Sequence, residues 1–477
     1  MLQLGITVCI LVGGVGAPSR ADPAPAIAAA PGPGAGPSGA APASPVPLGY
    51  RIVKAPTLVY AAPTRRAERR GRVTTRQPFA IHSVQPGADC PGEGWAAVDQ
   101  GGFVCLEYAV PSEGPARVQP ELPAARLLPF IYARPRIVDR RSRAIATVPR
   151  YRDLAAYRRG DEPTSVLEPD RHYTFVKTKR HRRQELLIDA ENRVVARRGM
   201  NVAAESTFSG RDLAREPIPV NVSAAWSVGR PAALRRQPAA SAAALRQVAY
   251  HATMHVDPRP IAAGEELWYA VPDGGGPGVT AYVAARDMNH WIPGPELAEV
   301  GPDELWIDVE LGQQTLAVMR GQSAVFITLI SSGAAGSTTP QGLFRVYEKL
   351  AVWTMRSGPN AADPYFVEGV PWIQYFHQRF ALHASYWHDD FGKRRSHGCI
   401  NLSPRDAAHV FSLTSPRVPS GWNALVEHPG AAGTLVRVRR GVDPVPDRRL
   451  PLGTIDAGVE DPLAPEIPEP ERTVPSR

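Results

Sequence analysis

Short runs of β-branched and aromatic residues, separated by Gly, Pro and Asp, follow one another along most of the chain. Such runs are typical of strands that are joined by turns. They are clearest in residues 49–110, between residues 130 and 208, between residues 220 and 292, and from residue 305 onward. The pattern therefore predicts a mainly β protein that is built from several short-stranded units.

One clear helix is predicted near the end of the last unit. Ser403 is a favourable N-cap, Pro404 suits the first helical position, and Asp406 falls in the first turn. Apolar residues then recur along one side as far as Leu413. We therefore expect Cys399 to lie on a strand or loop just before this helix.

The residues after Cys399 alternate between apolar and polar. Ile400 and Leu402 are apolar, whereas Cys399 and Asn401 are not. Successive side chains of a strand point to opposite faces. The alternation predicts that the apolar pair faces the core and that Cys399 and Asn401 share the accessible face.

The length of the chain, 477 residues, exceeds what one core usually serves, so about two to four domains are expected. Residues 2–17 are largely apolar and too short to span a bilayer comfortably, and small residues occur at Ser19 and Ala21. This pattern predicts a signal peptide at residues 1–21 and export to the periplasm or cell envelope. An uncleaved anchor that tethers the protein to the membrane is the alternative.

Two further segments have compositions that do not build a core. Residues 22–48 are dominated by Ala, Pro and Gly, which predicts an extended linker. Residues 441–477 are rich in Pro and acidic residues, which predicts a disordered tail.

The net charge of +8 is spread over the chain, with one basic cluster at residues 177–183. The cluster lies between two strand-like runs, which favours a solvated hairpin tip. Nucleic acid is not an expected partner of an exported protein. An anionic envelope polymer or lipid surface is the alternative partner for this cluster.

The sequence Ser-His-Gly-Cys-Ile-Asn-Leu occupies residues 396–402, and Cys399 follows His383 by sixteen positions. A thiol performs acyl transfer as the thiolate, so it needs a nearby base or dipole that lowers its pKa, and backbone N–H groups that hold the developing oxyanion. His383, His397 and the unhindered backbone at Gly398 are the candidates for these roles. A buried structural cysteine is the alternative.

From residue 304 to about 438 the chain resembles the YkuD-type L,D-transpeptidase catalytic domain. Several separated motifs occur in the right order, and Ala384 stands where the family usually has glycine. The motifs are Ser331-Ser332-Gly333, Thr339-Pro340-Gln341-Gly342-Leu343-Phe344, Ala381-Leu382-His383-Ala384 and the segment from Ser396 to Asn401.

The resemblance implies a β-rich catalytic domain at residues 303–440, and no cofactor is expected. A metal site at His377, His388, Asp389 and Asp390 is the alternative, but these residues lack the spacing of known metal sites. Cys399 would attack a carbonyl of a peptidoglycan tetrapeptide stem, and His383 would pass a proton to the departing D-amino acid. The amine of a diaminopimelate residue on a neighbouring stem would then resolve the thioester and form a cross-link. Acylation of Cys399 by carbapenems is also implied.

The resemblance also implies roles for the neighbours of these two residues. The backbone carbonyl of Ala384 would orient His383, and the N–H groups of His397, Gly398 and Cys399 would form the oxyanion hole. Ser396 and Asn401 would hold the loop in shape by hydrogen bonds.

The chain contains four cysteines. Once Cys9 of the predicted signal peptide and Cys399 are set aside, Cys90 and Cys105 remain as a natural pair, and their spacing suits a disulfide across a small β-sheet. A metal site is the alternative, but other Cys or His ligands at zinc-like spacing are missing. Cys399 would then be the unpaired thiol.

The three units before the catalytic domain are predicted to be accessory β-modules. Residues 49–112 resemble bacterial SH3-like modules and would contain the disulfide. Residues 125–215 and residues 216–300 are either divergent copies of the same module or parts of one continuous accessory domain. Their binding role, for example to glycan, stays open.

Three functions remain to be compared. The first is a cross-linking L,D-transpeptidase. The second is an enzyme of the same fold that hydrolyses the thioester, as an L,D-carboxypeptidase or endopeptidase, or attaches a protein to peptidoglycan. The third is a non-catalytic cell-wall-binding protein. The intact set of His383 and residues 396–401 argues against the third, whereas the sequence does not separate the first from the second.

Overall fold

The computed structural model describes residues 46–75, 77–139, 144–169, 171–229, 231–357 and 365–451. The predicted signal peptide, nearly all of the predicted linker and most of the predicted tail lie outside these residues. Within them, neither α-helix has the length and apolar character that crossing a bilayer requires.

Strands dominate the described residues, as the hydrophobic pattern predicts. The first unit contains β1 (Gly49–Val53), β2 (Thr57–Tyr60), β3 (Arg69–Val73), β4 (Phe79–Ile81), β5 (Ser83–Gln85), β6 (Trp95–Val98), β7 (Gly102–Cys105) and β8 (Ala109–Ser112), with 3-10 turns at Asp99–Gly101 and Leu106–Tyr108.

The second unit adds a helix and a hairpin to a similar set of strands. Its elements are β9 (Ile131–Pro135), β10 (Ile137–Asp139), β11 (Ala144–Ile145), β12 (Pro149–Tyr151), α1 (Leu154–Arg159), β13 (Ser165–Val166), β14 (Tyr173–Phe175), β15 (Lys177–His181), β16 (Gln184–Ile188), β17 (Val194–Ala196), a 3-10 turn at Arg197–Gly199 and β18 (Met200–Val202).

A short strand, β19 (Arg211–Asp212), separates the second unit from the third. The third unit consists of β20 (Ser223–Ser227), β21 (Ala232–Arg235), β22 (Ala244–Val248), β23 (Thr253–Val256), β24 (Ile261–Ala263), β25 (Glu266–Val271), β26 (Ala281–Ala284), a 3-10 turn at Ala285–Asp287 and β27 (Met288–His290).

The same arrangement of paired strands occurs in all three units. The first strand pairs with the last strand and with a middle strand, as β1 does with β8 and β4, β9 with β18 and β14, and β20 with β27 and β23. The other strands of each unit form a hairpin that joins three further antiparallel strands, as in β3-β2-β7-β6-β5, β13-β12-β17-β16-β15 and β22-β21-β26-β25-β24. A 3-10 turn precedes each last strand. We call the units the first, second and third modules.

The disulfide and the basic cluster fall at different places in these modules. Cys90 and Cys105 are joined by a disulfide with a Cα–Cα distance of 5.6 Å, and both pack against the buried Trp95. The basic residues of β15 are exposed along the β15–β16 hairpin of the second module.

Among the described residues, the C-terminal part of the chain contains ten further strands and the predicted helix. They are β28 (Leu305–Glu310), β29 (Thr315–Arg320), β30 (Ser323–Leu329), β31 (Gly342–Arg345), β32 (Glu348–Arg356), β33 (Phe366–His377), β34 (Phe380–Ala384), β35 (Ile400–Leu402), α2 (Pro404–Leu413), β36 (Trp422–Val426) and β37 (Leu435–Arg439).

Two sheets and α2 build the main core. One sheet has the order β19-β30-β29-β28-β37-β31, and the other begins β35-β34-β33-β32-β36. Side chains from both sheets and from α2 meet in one apolar cluster, for example Val318, Ile373 and Val410. Burial of this kind is the dominant favourable contribution to folding.

The first module continues the second of these sheets. Strand β3 pairs with β36, so a single ten-stranded sheet runs from β35 to β5. The backbones of β3 and β36 lie so close together that a Cβ on Gly71 would be 2.3 Å from the carbonyl oxygen of Ala424. Trp422 and Leu425 are buried in the core of the first module. This module and the catalytic domain, which were predicted as separate domains, therefore share a sheet and a core.

Candidate active site

The two segments that carry His383 and Cys399 lie side by side in the sheet. β34 and β35 run parallel, with Leu382 opposite Ile400 and His383 opposite Asn401. Leu382 and Ile400 are completely buried in the main core. Because side chains alternate along a strand, His383 and Asn401 point to the other face, which Cys399, two residues before Asn401, shares.

The imidazole of His383 is held in one tautomer. Its Nδ1 lies 2.9 Å from the carbonyl oxygen of Ala384. A carbonyl only accepts, so Nδ1 carries the proton and Nε2 has the lone pair that a base needs. Burial lowers the pKa of His383 to about 4, the hydrogen bond to Ala384 opposes that shift, and the neighbouring His388 adds to it.

The thiol of Cys399 is half-buried and is not part of a disulfide. Its Sγ lies 3.6 Å from the carbonyl oxygen of Arg379. Burial raises the pKa of Cys399 to about 11, against a smaller opposing effect of the Ala381 N–H. Acyl transfer by a thiol needs groups that lower this pKa, whereas burial favours the neutral thiol.

The turn before Cys399 requires glycine. Gly398 has φ +117°, and a Cβ there would lie 2.2 Å from the ring of Phe380. Ser396 accepts a hydrogen bond from the Gly398 N–H (3.0 Å) and donates one to the carbonyl of Cys399 (2.5 Å). A contribution of the Gly398 N–H to an oxyanion hole would therefore require its bond to Ser396 to break.

The earlier motifs converge on this turn. Thr339 accepts a hydrogen bond from the Gly333 N–H at 3.0 Å and donates to the Gly398 carbonyl at 2.7 Å. The backbones of Ser331 and Asn401 exchange two hydrogen bonds of 2.9 Å. Thr339 was noted in the sequence only as part of a motif, and its hydroxyl links two motifs to the turn that carries Cys399.

Residues 304–438 match the family described as the L,D-transpeptidase catalytic domain, YkuD. These residues form an L,D-transpeptidase catalytic domain. The match leaves the three modules outside the family region.

Individual relatives are similar to the same part of the chain. The candidate L,D-transpeptidase YciB of Bacillus subtilis (strain 168) is 28% identical over 131 residues, which are 25% of this chain and 65% of the relative. The crystal structure of an Enterococcus faecium L,D-transpeptidase mutant is 26% identical, with 28% of this chain and 50% of that chain covered and a TM-score of 0.23. An L,D-transpeptidase from Stackebrandtia nassauensis is 23% identical, with 30% and 59% covered and a TM-score of 0.22.

The second module packs against a loop of the L,D-transpeptidase domain. This loop, residues 385–395, connects the segment of His383 to the segment of Cys399. Tyr386 in this loop stacks on Tyr132 of the module with ring centroids 3.6 Å apart. The Tyr132 hydroxyl donates to the Gly369 carbonyl at 2.7 Å, and the Tyr386 hydroxyl donates to the Glu368 carbonyl at 3.0 Å. The loop and the first residues of β33 therefore both contact the second module.

The third module holds the other end of the same loop. The Asn289 amide donates to the Gly392 carbonyl at 2.7 Å, and a Cβ on Gly392 would lie 2.4 Å from Val228. His251 Nε2 lies 3.1 Å from the Phe391 carbonyl oxygen. The second and third modules therefore both contact the loop that connects His383 to Cys399, which the sequence patterns did not predict.

No group of three or more His, Cys, Asp or Glu side chains in the described part of the L,D-transpeptidase domain or its modules is arranged to hold a metal ion.

Proposed function

We propose that this protein is a cysteine-dependent L,D-transpeptidase that cross-links peptidoglycan stems. The observation that carries the proposal is the pairing of β34 with β35, which gives Cys399, His383 and Asn401 one common face. The hydrogen bond from His383 Nδ1 to Ala384 leaves Nε2 as the base. The match of residues 304–438 to the L,D-transpeptidase family supports the same chemistry.

The reaction then has two acyl-transfer steps. Cys399 Sγ forms a bond to the stem carbonyl carbon while its proton passes to His383 Nε2. The C–N bond breaks as the imidazolium returns that proton to the departing D-amino acid. In the second step the amine of a diaminopimelate residue on another stem attacks the thioester carbon, and His383 accepts its proton. The C–S bond then breaks as the imidazolium returns that proton to the departing sulfur, which restores the Cys399 thiol.

Burial favours the neutral forms of both Cys399 and His383, so the proposed first step transfers the thiol proton to His383 as the Sγ–C bond forms. The backbone N–H groups of His397 and Cys399 are the proposed donors to the oxyanion, each worth about 3 kcal/mol in comparable sites.

The proposal includes export to the periplasm or cell envelope. The Cys90–Cys105 disulfide supports it, since disulfides persist in oxidising compartments. The exposed basic hairpin of the second module supports contact with anionic envelope polymers.

Mass spectrometry of muropeptides tests the function. The protein is incubated with disaccharide-tetrapeptide, beside Cys399→Ala and His383→Gln. We expect cross-linked dimer with the wild type, none with Cys399→Ala, and a rate lower by about 10²–10⁴ with His383→Gln. Formation of tripeptide without dimer would indicate that the protein is a hydrolase or that it needs a protein acceptor. Formation of cross-linked dimer by the Cys399→Ala variant would refute the assignment of Cys399 as the nucleophile.

A further inference from the structure

His388 lies in the loop between the two catalytic segments, and both of its ring nitrogens have polar neighbours. The backbone N–H of Asp390 donates to Nδ1 at 3.2 Å. Nε2 lies 3.1 Å from the side-chain amide of Asn401. Asn401 in turn lies opposite His383 in the paired strands. His388 is therefore joined to the catalytic face through one side chain.

The first of these contacts fixes the tautomer of His388. A backbone N–H can only donate, so Nδ1 must be the unprotonated nitrogen. A neutral imidazole has one N–H and one lone pair, which places the proton on Nε2. A protonated Nε2 cannot accept a hydrogen bond from an NH₂ group.

The tautomer decides the orientation of the Asn401 carboxamide. Oxygen and nitrogen of an amide have nearly the same shape, and the hydrogen-bond network assigns them. The Nε2–H of His388 requires an acceptor, so the carboxamide oxygen faces His388. The NH₂ group then takes the opposite position, where the Asn401 atom is buried and has no hydrogen-bond partner among the described residues.

A buried polar group without a partner costs about 1–3 kcal/mol, so such groups are uncommon outside functional sites. Asn401 is only 2% exposed. The strand register places the side chains of Asn401 and His383 on one face, and the proposed reaction brings a carbonyl oxygen of the acyl donor to this face as an acceptor.

We propose that the NH₂ group of Asn401 donates to a carbonyl oxygen of the stem peptide that acylates Cys399, and that His388 is the positioning residue that keeps the carboxamide in this orientation. The inference rests on the proposed function, because that function supplies the acyl donor. It gives Asn401 a contact with substrate in addition to the loop-shaping role that the resemblance implies.

Two substitutions of His388 separate positioning from simple packing. In His388→Gln the side-chain amide nitrogen reaches about as far as Nε2 and can donate to the Asn401 oxygen. In His388→Asn the side chain can accept from the Asp390 N–H but is too short to reach Asn401. His181→Asn, on the exposed hairpin of the second module, is the control for the same change far from the site.

Two rates at Cys399 are measured for each variant by mass spectrometry of the intact protein. One is acylation by disaccharide-tetrapeptide, and the other is alkylation by iodoacetamide, which occurs at a CH₂ carbon and needs no polarised carbonyl. We expect His388→Asn to lower the acylation rate about 10- to 100-fold, His388→Gln to recover most of that loss, and alkylation to change less than about 3-fold in both. In an Asn401→Ala background, His388→Asn should have no further effect.

Three outcomes would overturn the inference while the proposed function stands. They are equal losses in the Gln and Asn variants, a parallel loss of alkylation, or additive effects with Asn401→Ala. A wild-type protein that is alkylated at Cys399 but is never acylated by the stem would instead refute the proposed function, and the inference with it.

Discussion

The charge state of Cys399 and His383 can be read from the pH dependence of thiol alkylation. Burial disfavours the charged form of each group, so it raises the pKa of the thiol to about 11 and lowers the pKa of the imidazole to about 4. At pH 7 the resting pair is therefore a thiol and a neutral imidazole. An ion pair, as found in some cysteine proteases, would instead require the thiol pKa to fall below that of the imidazolium.

A buried thiol of raised pKa and an ordinary exposed thiol differ greatly in the fraction that is ionised to thiolate. With the thiol pKa at about 11, roughly 10⁻⁴ of the thiol is ionised at pH 7, compared with roughly 3 × 10⁻² for an ordinary cysteine of pKa 8.5. Alkylation of Cys399 at pH 7 should thus be on the order of 300-fold slower than that of an exposed thiol. The rate should rise about tenfold per pH unit up to pH 10, because only the thiolate reacts.

The assay is pseudo-first-order alkylation with iodoacetamide between pH 5 and pH 10, followed on the peptide that contains Cys399. Wild type and His383→Gln are compared, with the urea-unfolded protein as the reference for an accessible thiol. For a neutral pair, His383→Gln should change the rate by less than about 3-fold, since no imidazolium holds the thiolate. A plateau between pH 5 and pH 7 that disappears in His383→Gln would show an ion pair and refute this reasoning.

Two further predictions concern the modules. Tyr132→Phe removes the buried hydrogen bond to the Gly369 carbonyl and should lower the free energy of unfolding by about 1–3 kcal/mol. Urea denaturation measures this change. If the stability of the variant equals that of the wild type, this bond does not hold the second module in place. Replacing both Cys90 and Cys105 with Ser should cost about 3 kcal/mol for the 15-residue separation and lower Tm, while alkylation of Cys399 at 25 °C stays unchanged; a changed alkylation rate would mean that the first module acts on the site through the shared sheet.

Local sequence patterns predicted the helix and the strand that follow Cys399, although Asn401, predicted on the accessible face, is buried. Alternation after Cys399 placed its side chain and that of Asn401 on one face, and the capping signals at Ser403 placed the helix, because both depend on neighbouring residues. Ser403 accepts from the Asp406 N–H at 3.2 Å, as a helix N-cap does. The spacing of His383 and Cys399 indicated that the two belong to one site.

Contacts between distant parts of the chain could not be predicted in the same way. The pairing of β3 with β36 depends on the absence of a side chain at Gly71. The residues around Gly71 do not indicate that a distant strand lies against this glycine. The raised pKa of Cys399 follows from burial by the folded chain and not from the adjacent histidine. The stacking of Tyr132 on Tyr386 joins residues more than 250 positions apart, so no local periodicity contains it.

These distant contacts change what the modules contribute to the enzyme. A module that only spaced the catalytic domain from the membrane would need no contact with the loop of residues 385–395. Instead, Tyr132 of the second module and Asn289 of the third module bind this loop near its two ends. The loop carries His388, whose tautomer orients Asn401 beside His383. Since a misplacement of about 1 Å can cost about 100-fold in rate, under the proposed function modules that set the position of this loop also set the geometry in which the acyl donor meets Cys399.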